Sequence, residues 1–232
     1  MMLQQTQTNR VVEKYQQFLM ALPTVSDLAE ASTAQVLALW QGLGYNRRGL
    51  YLQRAARAIV DTHGGIVPDD PRLLETLPGI GRNTAGAIAA FAYNRPVVFI
   101  ETNIRRVFLH FFFADREGVP DSELLLLIER YLDYHQPRLW YYALMDYGAM
   151  LGRTVANPNR RSKQYVRQSA FAGSNRQLRG AILRTVVGTG TVSLSELRRQ
   201  LSIAPEKISL CVEQLSKEGF VIRHGNSITI KE

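Results

Sequence analysis

The residues best suited to chemistry in this sequence lie in one glycine-containing segment, Leu77–Thr84. Its two glycines allow the backbone to turn sharply with N–H groups exposed, and an alanine-rich helix follows. The positive N-terminal end of that helix would lie beside the turn, a geometry that binds phosphate without reading sequence. The candidate phosphate-binding residues are Gly79, Gly81, Arg82, Asn83 and Thr84. An ordinary Pro-Gly turn is the alternative that this segment alone leaves open.

Helical spacing of apolar residues predicts the elements that hold this segment. Three helices are expected between Val11 and His63, and strand signals are almost absent before residue 185. A short helix precedes the glycine turn and a longer one follows it, giving helix, tight turn, helix. The predicted helices from there on are Leu73–Leu77, Asn83–Tyr93, one beginning near Thr102, Asp121–Tyr134 and Leu139–Leu151.

The C-terminal sixty residues have a different pattern. Asn157–Arg161 is polar and basic and contains a proline, which together with the following residues to about Asn175 predicts an extended linker. Three short helices and a hairpin with a glycine-containing turn then indicate a winged helix. Their expected positions are Gln177–Val187, Leu194–Leu201, Pro205–Gly219 and Phe220–Lys231. The predicted domains are a core (1–155), a basic linker (156–174) and a winged-helix-like domain (175–232).

The charge composition favours a polyanionic partner. Lys and Arg number 28 against 20 Asp and Glu, a formal net charge of +8. Nucleic acid, an acidic membrane surface and a merely solvated basic surface all fit this excess. No apolar run is long enough for a transmembrane helix, and residues 1–10 lack an apolar signal core. The single cysteine, Cys211, excludes a disulfide framework or a four-cysteine metal site, so we expect no cofactor and a cytoplasmic location.

Four motifs in order give the chain a family resemblance. They read Met-Leu-Gln-Gln-Thr-Gln at 2–7, Trp-Gln-Gly-Leu-Gly-Tyr at 40–45, Leu-Pro-Gly-Ile-Gly-Arg-Asn-Thr-Ala at 77–85 and Met-Asp-Tyr-Gly-Ala-Met at 145–150. Over roughly residues 2–155 the chain resembles the helix-hairpin-helix DNA glycosylases, and most closely the adenine mismatch glycosylases. The resemblance implies a mainly α, helix-hairpin-helix fold that acts on double-stranded DNA with a mispaired or damaged base, as a monomer.

The resemblance also implies a catalytic carboxylate, Glu101, where the family usually has Asp. A fixed carboxylate stabilises the positive charge that builds on the sugar and orients water when an N-glycosidic bond breaks. A helix N-terminal carboxylate or a salt bridge to Arg105 is the alternative for Glu101. Asn103, also at a family position, either hydrogen-bonds near a flipped nucleotide or caps the helix.

Further residue roles follow from the same resemblance. Asn83 lies where bifunctional members carry a nucleophilic lysine, and an amide forms no Schiff base, so the enzyme is expected to be monofunctional. The second aromatic that commonly follows the Gly-Tyr pair, and wedges into the base stack, is missing here. The candidate DNA-contacting residues around this position are Gln4, Gln5, Tyr45, Asn46, Arg47 and Arg48.

Three departures from the family are expected to matter. The glutamate that protonates the leaving adenine would fall one residue before Met1, which favours a misassigned or truncated start over loss of this acid. The family's Fe–S cysteines would fall near Gly152, Asn159, Ser162 and Gln168, none of which is Cys, so the cluster is expected to be absent. No room remains for the family's 8-oxoguanine-recognising domain.

The leading hypothesis is therefore a monofunctional base-excision DNA glycosylase that flips and releases a mispaired base, with adenine opposite 8-oxoguanine or guanine favoured. A thymine, uracil or damaged-purine glycosylase of the same fold is one alternative. A catalytically weak mismatch or damage sensor that recruits a protein partner through the winged helix is another. The winged helix either contacts DNA or docks onto the core or a partner; its candidate DNA-binding residues are Arg176, Arg179, Arg184, Arg198 and Arg199.

Overall fold

A computed structural model describes residues 1–167 and 170–232. The described chain forms two compact units. The terminal unit comprises residues 1–66 together with 170–232, and the central unit comprises residues 67–167. The helices are α1 (Thr8–Ala21), α2 (Val25–Glu30), α3 (Thr33–Trp40), α4 (Arg47–His63), α5 (Pro71–Glu75), α6 (Arg82–Tyr93), α7 (Thr102–Phe112), α8 (Asp121–Tyr131), α9 (Pro137–Thr154), α10 (Asn175–Thr189), α11 (Leu194–Leu201) and α12 (Pro205–Lys217).

The first 66 residues form four helices where apolar spacing predicted three. Two caps explain the difference. Thr24 and Asp27 form a reciprocal capping box at the start of α2, and the Ser32 hydroxyl accepts the Gln35 N–H at the start of α3. Each cap begins a separate short helix, while the apolar faces of α1, α3 and α4 pack around the buried Trp40.

The C-terminal part of the terminal unit is a winged helix, as predicted. After α10 comes strand β1 (Thr191–Ser193), then α11, α12, β2 (Val221–His224) and β3 (Ser227–Ile230). The sheet is antiparallel in the order β1-β3-β2, and β3 pairs with both neighbours. β1 was not predicted, because three residues are too few to show an alternating pattern.

The winged helix shares its core with two helices of the N-terminal segment. Leu37 of α3 and Leu50 of α4 belong to the same buried cluster as Ile182, Leu197 and Phe220. Removing this apolar surface from water is the main stabilising contribution to the contact.

Polar contacts reinforce that shared core. The side-chain carboxylate of Glu232 accepts the backbone N–H of Thr33 at 2.7 Å, at the positive end of α3. Glu218, at the C-terminal end of α12, pairs with Arg47 at 2.8 Å and with Arg179. The C-terminal segment therefore folds as part of the terminal unit, and residue contacts group it with residues 1–66.

The central unit consists of α5 to α9 around an aromatic core. Phe99 and Tyr141 are fully buried, with ring centroids 4.3 Å apart, and the Tyr141 hydroxyl donates to the Val97 carbonyl at 2.7 Å. Burial raises the pKa of Tyr141, which keeps this hydroxyl protonated as a donor. The segment between α6 and α7 is thereby held beside α9.

The first residues of the predicted linker are ordered and packed. Pro158–Arg161 forms a 3-10 helix that contacts α7, and the Asn159 side chain donates to the Thr102 carbonyl at 3.0 Å. Backbone hydrogen bonds tie Val119 to Arg161 and Lys163, with an isolated β-bridge from Val119 to Ser162. The domain division at 156–174 stays a prediction, but its first part is a packed support for α7.

Neither a membrane span nor a metal cluster is present in the described residues. In residues 1–167 and 170–232 no helix combines the length and apolarity that crossing a membrane requires. The same residues contain no group of three or more His, Cys, Asp and Glu side chains placed to hold a metal ion.

The shared core leads to a stability prediction. We expect Leu37→Ala to destabilise the protein by about 2 to 5 kcal/mol, because it removes a 3% exposed side chain and leaves a cavity. Amide hydrogen exchange should rise in residues 178–230 as well as in α3. Leu126→Ala is the matched control, since this leucine of α8 is 67% exposed and should change stability little. Protection unchanged in 178–230 would show that Leu37 is not part of the winged-helix core.

Candidate active site

The glycine turn was predicted to bind phosphate through its backbone, and only one of its two glycines has a backbone conformation that favours glycine. Gly79 has φ +75°, a conformation that favours glycine. Gly81 has φ −91° and ψ 174°, extended backbone that any residue adopts, and it is the N-cap of α6. A Cβ at Gly81 would meet no atom within 4 Å. Neither backbone strain nor packing therefore requires glycine at 81, and its predicted role in binding phosphate stays a prediction.

The first turn of α6 lies directly after this open position. Gly81 provides no side-chain cap, so the helix begins without one and its N–H groups point outward. Arg82 and Asn83 are exposed and Thr84 is half-buried. The side-chain oxygen of Asn83 accepts the backbone N–H of Ile100 at 3.4 Å, which ties the glycine turn to the residue before Glu101.

Glu101 is the N-cap of α7 and faces the first turn of that helix. One carboxylate oxygen, Oε1, accepts the backbone N–H groups of Asn103 and Ile104, the latter at 2.9 Å. Glu101 is thus a carboxylate at a helix N-terminus, which was one of the two predicted alternatives. The other alternative, a salt bridge to Arg105, is not formed. Arg105 makes a two-pronged ion pair with Asp121 instead, at 2.8 and 2.7 Å.

Burial raises the pKa of Glu101. Desolvation raises the pKa of this carboxyl above its ordinary value of 4.5 and outweighs the two backbone N–H groups, with Arg105 and Arg106, that favour the anion. A fixed, partly desolvated carboxylate whose geometry is imposed by a helix end is suited to stabilising a developing cation.

Asn103 is held by a network that the sequence did not reveal. Its side-chain oxygen accepts an N–H of Arg106 at 2.9 Å, and the same Arg106 nitrogen donates to the Gly148 carbonyl of α9. Of the two roles left open for Asn103, the cap is wrong, because Glu101 is the cap, and the contact with a flipped nucleotide stays a prediction. A Cβ at Gly148 would lie 2.3 Å from the Asn103 carbonyl oxygen, so α7 and α9 approach closely only with glycine there. The three-residue spacing of Asn103 and Arg106 could have predicted this contact, because side chains three positions apart on a helix are neighbours.

The other predicted site residues lie in the terminal unit, where Arg48 contacts Gln4 and the Tyr45 ring and Arg47 pairs with Glu218. The Arg48 side chain is 9% exposed. Its two terminal nitrogens donate to carbonyl groups of Met1, Met2, Gln4, Leu43 and Gly44 and to the Thr6 hydroxyl. Desolvation by burial lowers the pKa of Arg48, and the groups that accept its hydrogen bonds are backbone carbonyl groups and one hydroxyl. We therefore propose a structural role for Arg48 in place of the predicted DNA contact.

Arg48 holds two exposed residues in unusual backbone conformations. Gln5 has φ +54° and Tyr45 has φ +47°, both in the left-handed region that residues other than glycine rarely adopt. The two other such residues among those described, Asn94 and Ser202, each end a helix. Strained positions of this kind concentrate at binding sites. Gln4 and Asn46 are half-buried beside them, and Asn46 is the N-cap of α4.

The residues at the predicted cluster positions do not fit an Fe–S cluster. Gly152 has no side chain, and a Cβ there would lie 2.6 Å from the Arg106 guanidinium. Asn159 and Ser162 are buried and hydrogen-bonded to Thr102 and Gln164, respectively. The fourth position, Gln168, lies outside the described residues. The single cysteine, Cys211, is in the core of the winged helix.

Comparison with protein families identifies the class to which this geometry belongs. The family sequence model of the HhH-GPD superfamily of base excision DNA repair proteins matches residues 1–129 of this chain. The match covers more than half of the 232 residues, and the chain belongs to this family.

Curated relatives within the family are adenine DNA glycosylases. The protein of Rattus norvegicus is 39% identical over 163 residues, 68% of this chain and 31% of the relative. The protein of Mycobacterium tuberculosis is 47% identical over 106 residues, 46% of this chain and 35% of the relative. The chain thus spans about a third of the length of the curated relatives that it matches.

Solved structures agree on the fold. A thermostable thymine-DNA glycosylase has a TM-score of 0.58 at 21% identity, over 68% of this chain and 74% of that one. A trapped covalent intermediate of endonuclease III with DNA has a TM-score of 0.57 at 20% identity, over 64% of this chain and 70% of that one. At these identities the likeness concerns the fold alone.

The buried carboxyl makes stability depend on pH in a defined direction. Because the folded-state pKa of Glu101 is raised, its stabilising effect is complete below the ordinary pKa of 4.5 and is lost as the pH rises through the folded pKa. Glu101→Gln keeps an oxygen for the two N–H groups but does not titrate. We expect its melting temperature, relative to the parent protein, to increase with pH across this window. Glu129→Gln, at an exposed position of α8, is the control. A difference in melting temperature that shrinks with rising pH would contradict this.

The open N-cap at position 81 gives a second prediction. We expect Gly81→Ser to leave the melting temperature unchanged or higher, since serine is a favoured N-cap and its Cβ has space. DNA binding should nevertheless weaken for every duplex sequence alike, because the hydroxyl occupies the helix N–H groups that would hold a phosphate. Titration of several duplexes, with Gly188→Ala of α10 as control, tests this. A loss confined to one sequence would argue against a phosphate grip.

Proposed function

We propose that the protein is a DNA N-glycosylase of base excision repair that releases a mispaired base, with adenine opposite 8-oxoguanine or guanine as the favoured substrate. The observation that carries the proposal is Glu101, a desolvated carboxylate fixed by the first turn of α7. The adenine DNA glycosylase relatives support the substrate assignment. Double-stranded DNA is the corresponding partner, and we propose a cytoplasmic location, which the single cysteine supports.

The reaction proposed for this carboxylate is hydrolysis of the bond between sugar and base. As that bond lengthens, positive charge develops on the sugar. Oε1 of Glu101 is fixed by the Asn103 and Ile104 N–H groups, which leaves Oε2 to face the charge and to orient the attacking water. Arg106 holds Asn103, and Asn159 holds Thr102, and these are the two residues that follow the Glu101 cap. These contacts preorganise the carboxylate before the substrate binds.

Asn83 supports a monofunctional reaction. Its amide is not a nucleophile, and its oxygen accepts the Ile100 N–H, so the residue positions the segment that leads to Glu101. No Schiff base with the abasic sugar is expected at this position. Borohydride should therefore not trap a covalent complex through residue 83.

The test is base release under single-turnover conditions on duplexes containing adenine opposite 8-oxoguanine or guanine, and thymine or uracil opposite guanine. We expect adenine release by the parent protein. Glu101→Gln should slow it by at least about 100-fold, because a preorganised charge is lost. The rate should also fall on the acid side, with a midpoint above the ordinary glutamate pKa of 4.5, because the pKa of Glu101 is raised and the anion is the active form.

Glu101→Asp is the conservative comparison. It keeps the carboxylate but shortens the side chain by about 1.5 Å, so it should retain more activity than Glu101→Gln. Equal rates for the parent and Glu101→Gln would remove Glu101 from the mechanism. If only thymine or uracil is released, that base and not adenine is the substrate. Tight binding to mismatched DNA without release of any base would indicate a sensor in place of an enzyme.

A further inference from the structure

We propose that Arg47 and Arg54 of α4 bind backbone phosphates of duplex DNA, and that the winged helix holds Arg47 in place through Glu218 at the end of α12. The winged helix then takes part in DNA binding by positioning a side chain of α4. This inference rests on the proposed function, and it gives a role to a domain that the family match at residues 1–129 does not include.

α4 carries an excess of positive charge. Its 17 residues include four arginines and a single carboxylate, Asp61, in the last turn. Arg48 and Arg57 donate to backbone carbonyl groups within the terminal unit. The other two arginines, Arg47 and Arg54, are seven positions apart, so they lie on one face of the helix, about 10 Å apart along its axis.

Arg47 shares a carboxylate with a second arginine. The two oxygens of Glu218 accept N–H groups of Arg179 at 3.1 and 2.5 Å, and Oε2 also lies 2.8 Å from Nη2 of Arg47. One negative charge thus faces two positive charges. The Arg47 side chain is 52% exposed and that of Arg179 is 21% exposed, so the excess positive charge is more accessible at Arg47.

Arg54 adds a further positive charge at the same end of α12. A Cβ at Gly219 would lie 3.7 Å from Nη2 of Arg54. The negative end of the α12 dipole attracts this guanidinium, but it amounts to only about half a charge. Arg54 is exposed, and no carboxylate of the described residues pairs with it. Three arginines and the carboxylate of Glu218 therefore lie at this junction of α4 and α12, with a net charge of +2.

This arrangement suits the phosphates of a DNA backbone. A guanidinium has five N–H donors in a planar fork, so Arg47 can keep Glu218 on one side and bind a phosphate with its other N–H groups. One strand of a duplex has a phosphate about every 3.4 Å along the axis, and a spacing of about 10 Å lets both arginines contact the same strand. Arg47 also follows Tyr45, a predicted DNA contact, by two positions. The two arginines thus continue the predicted DNA-binding surface along α4.

α12 itself lacks this excess of charge, although it is the helix before the hairpin of the winged helix. Its charged residues are two glutamates and two lysines. A helix that enters a groove of DNA normally presents positive charge and hydrogen-bonding side chains to it. The charge pattern therefore favours the face of α4 as the phosphate contact, with the end of α12 as its support.

The test measures how DNA affinity depends on salt, with Glu101→Gln as the parent so that no base is released. We expect Arg47→Gln and Arg54→Gln each to weaken binding about tenfold, the loss of one charged hydrogen bond. Each should lower the slope of log affinity against log salt by about 0.9, the value for one phosphate. The losses should be equal on an adenine·8-oxoguanine duplex and on a fully paired one. Arg47→Lys and Arg54→Lys should keep the slope, because they keep the charge.

A separate variant tests the role of Glu218 as a positioning residue. Glu218→Asp keeps the charge but is shorter by about 1.5 Å, so it cannot bind Arg47 and Arg179 together. We expect binding to be about two- to tenfold weaker with an unchanged slope, because Arg47 must then be ordered when DNA binds. The effect of Glu218→Asp should vanish in the Arg47→Gln background.

Two controls separate this site from a general loss of charge or of folding. Lys207→Gln removes an exposed cation at the other end of α12, about 16 Å from Glu218 along the helix, and should leave the slope unchanged. Melting temperatures show whether each variant is folded. Arg54→Gln breaks no ion pair of the described residues, so it tests the site even if Arg47→Gln loosens the winged helix.

Three results would overturn the inference. Lower melting temperatures with unchanged slopes for both glutamine variants would mean that the two arginines only fasten the winged helix to α4. A slope lowered by Lys207→Gln and not by the α4 variants would assign the phosphate contact to α12. Equal affinities of the Glu101→Gln parent and its Glu218→Asp variant would remove the positioning role of the winged helix. If the slopes change as expected but the protein with Glu101 releases no base, the phosphate site stands and the proposed function fails.

Discussion

The proposed DNA-binding surface of the terminal unit depends on the hydrogen bonds that the buried guanidinium of Arg48 donates to backbone carbonyl groups. Residues 1–6 and 41–45 form no helix or strand, so their carbonyl groups need other partners. Arg48 supplies these partners for five carbonyl groups and one hydroxyl at once. Each segment contains a residue in the left-handed conformation, Gln5 or Tyr45, next to groups that Arg48 binds. The cost of burying one charge is offset by hydrogen bonds that fix two segments together.

For Glu101, in the central unit, the cost of burying the charge is larger than the stabilisation by its hydrogen bonds. Two backbone N–H groups and two arginines favour its anion, yet burial outweighs them and raises the pKa. The carboxylate is held in place by its hydrogen bonds but stabilised incompletely, which leaves it able to interact with a new positive charge. Its supports come from three separate elements. They are Arg106 of α7, Gly148 of α9 and Asn159 of the 3-10 helix. The 3-10 helix, which has no cysteine to bind an Fe–S cluster, thus packs directly against the start of α7, next to Glu101.

Local signals in the sequence predicted most of the fold. The glycine turn, the helices around it and the winged helix each have caps, turns or periodic apolar residues that lie within a few positions of one another. What could not be predicted depends on distant residues. The Arg48 side chain reads as a surface cation, but its partners at the N-terminus are more than 40 positions away. The sequence does not distinguish Gly148 from other helical glycines. In the structure, a Cβ at this position would lie 2.3 Å from the Asn103 carbonyl oxygen. Glu101 was found through a family motif, whereas its desolvation is visible only in three dimensions.

The shared core of the terminal unit has a consequence for how the chain is synthesised. Residues 67–167 are continuous, so the ribosome delivers the whole central unit before the winged helix emerges. Leu37 and Leu50 are made early, but their apolar partners lie between residues 178 and 230. During most of translation these two leucines remain without that core, on a nascent chain whose central unit can already fold. Exposed apolar surface of this kind is what chaperones bind, and slow translation of the last sixty residues would prolong that exposure.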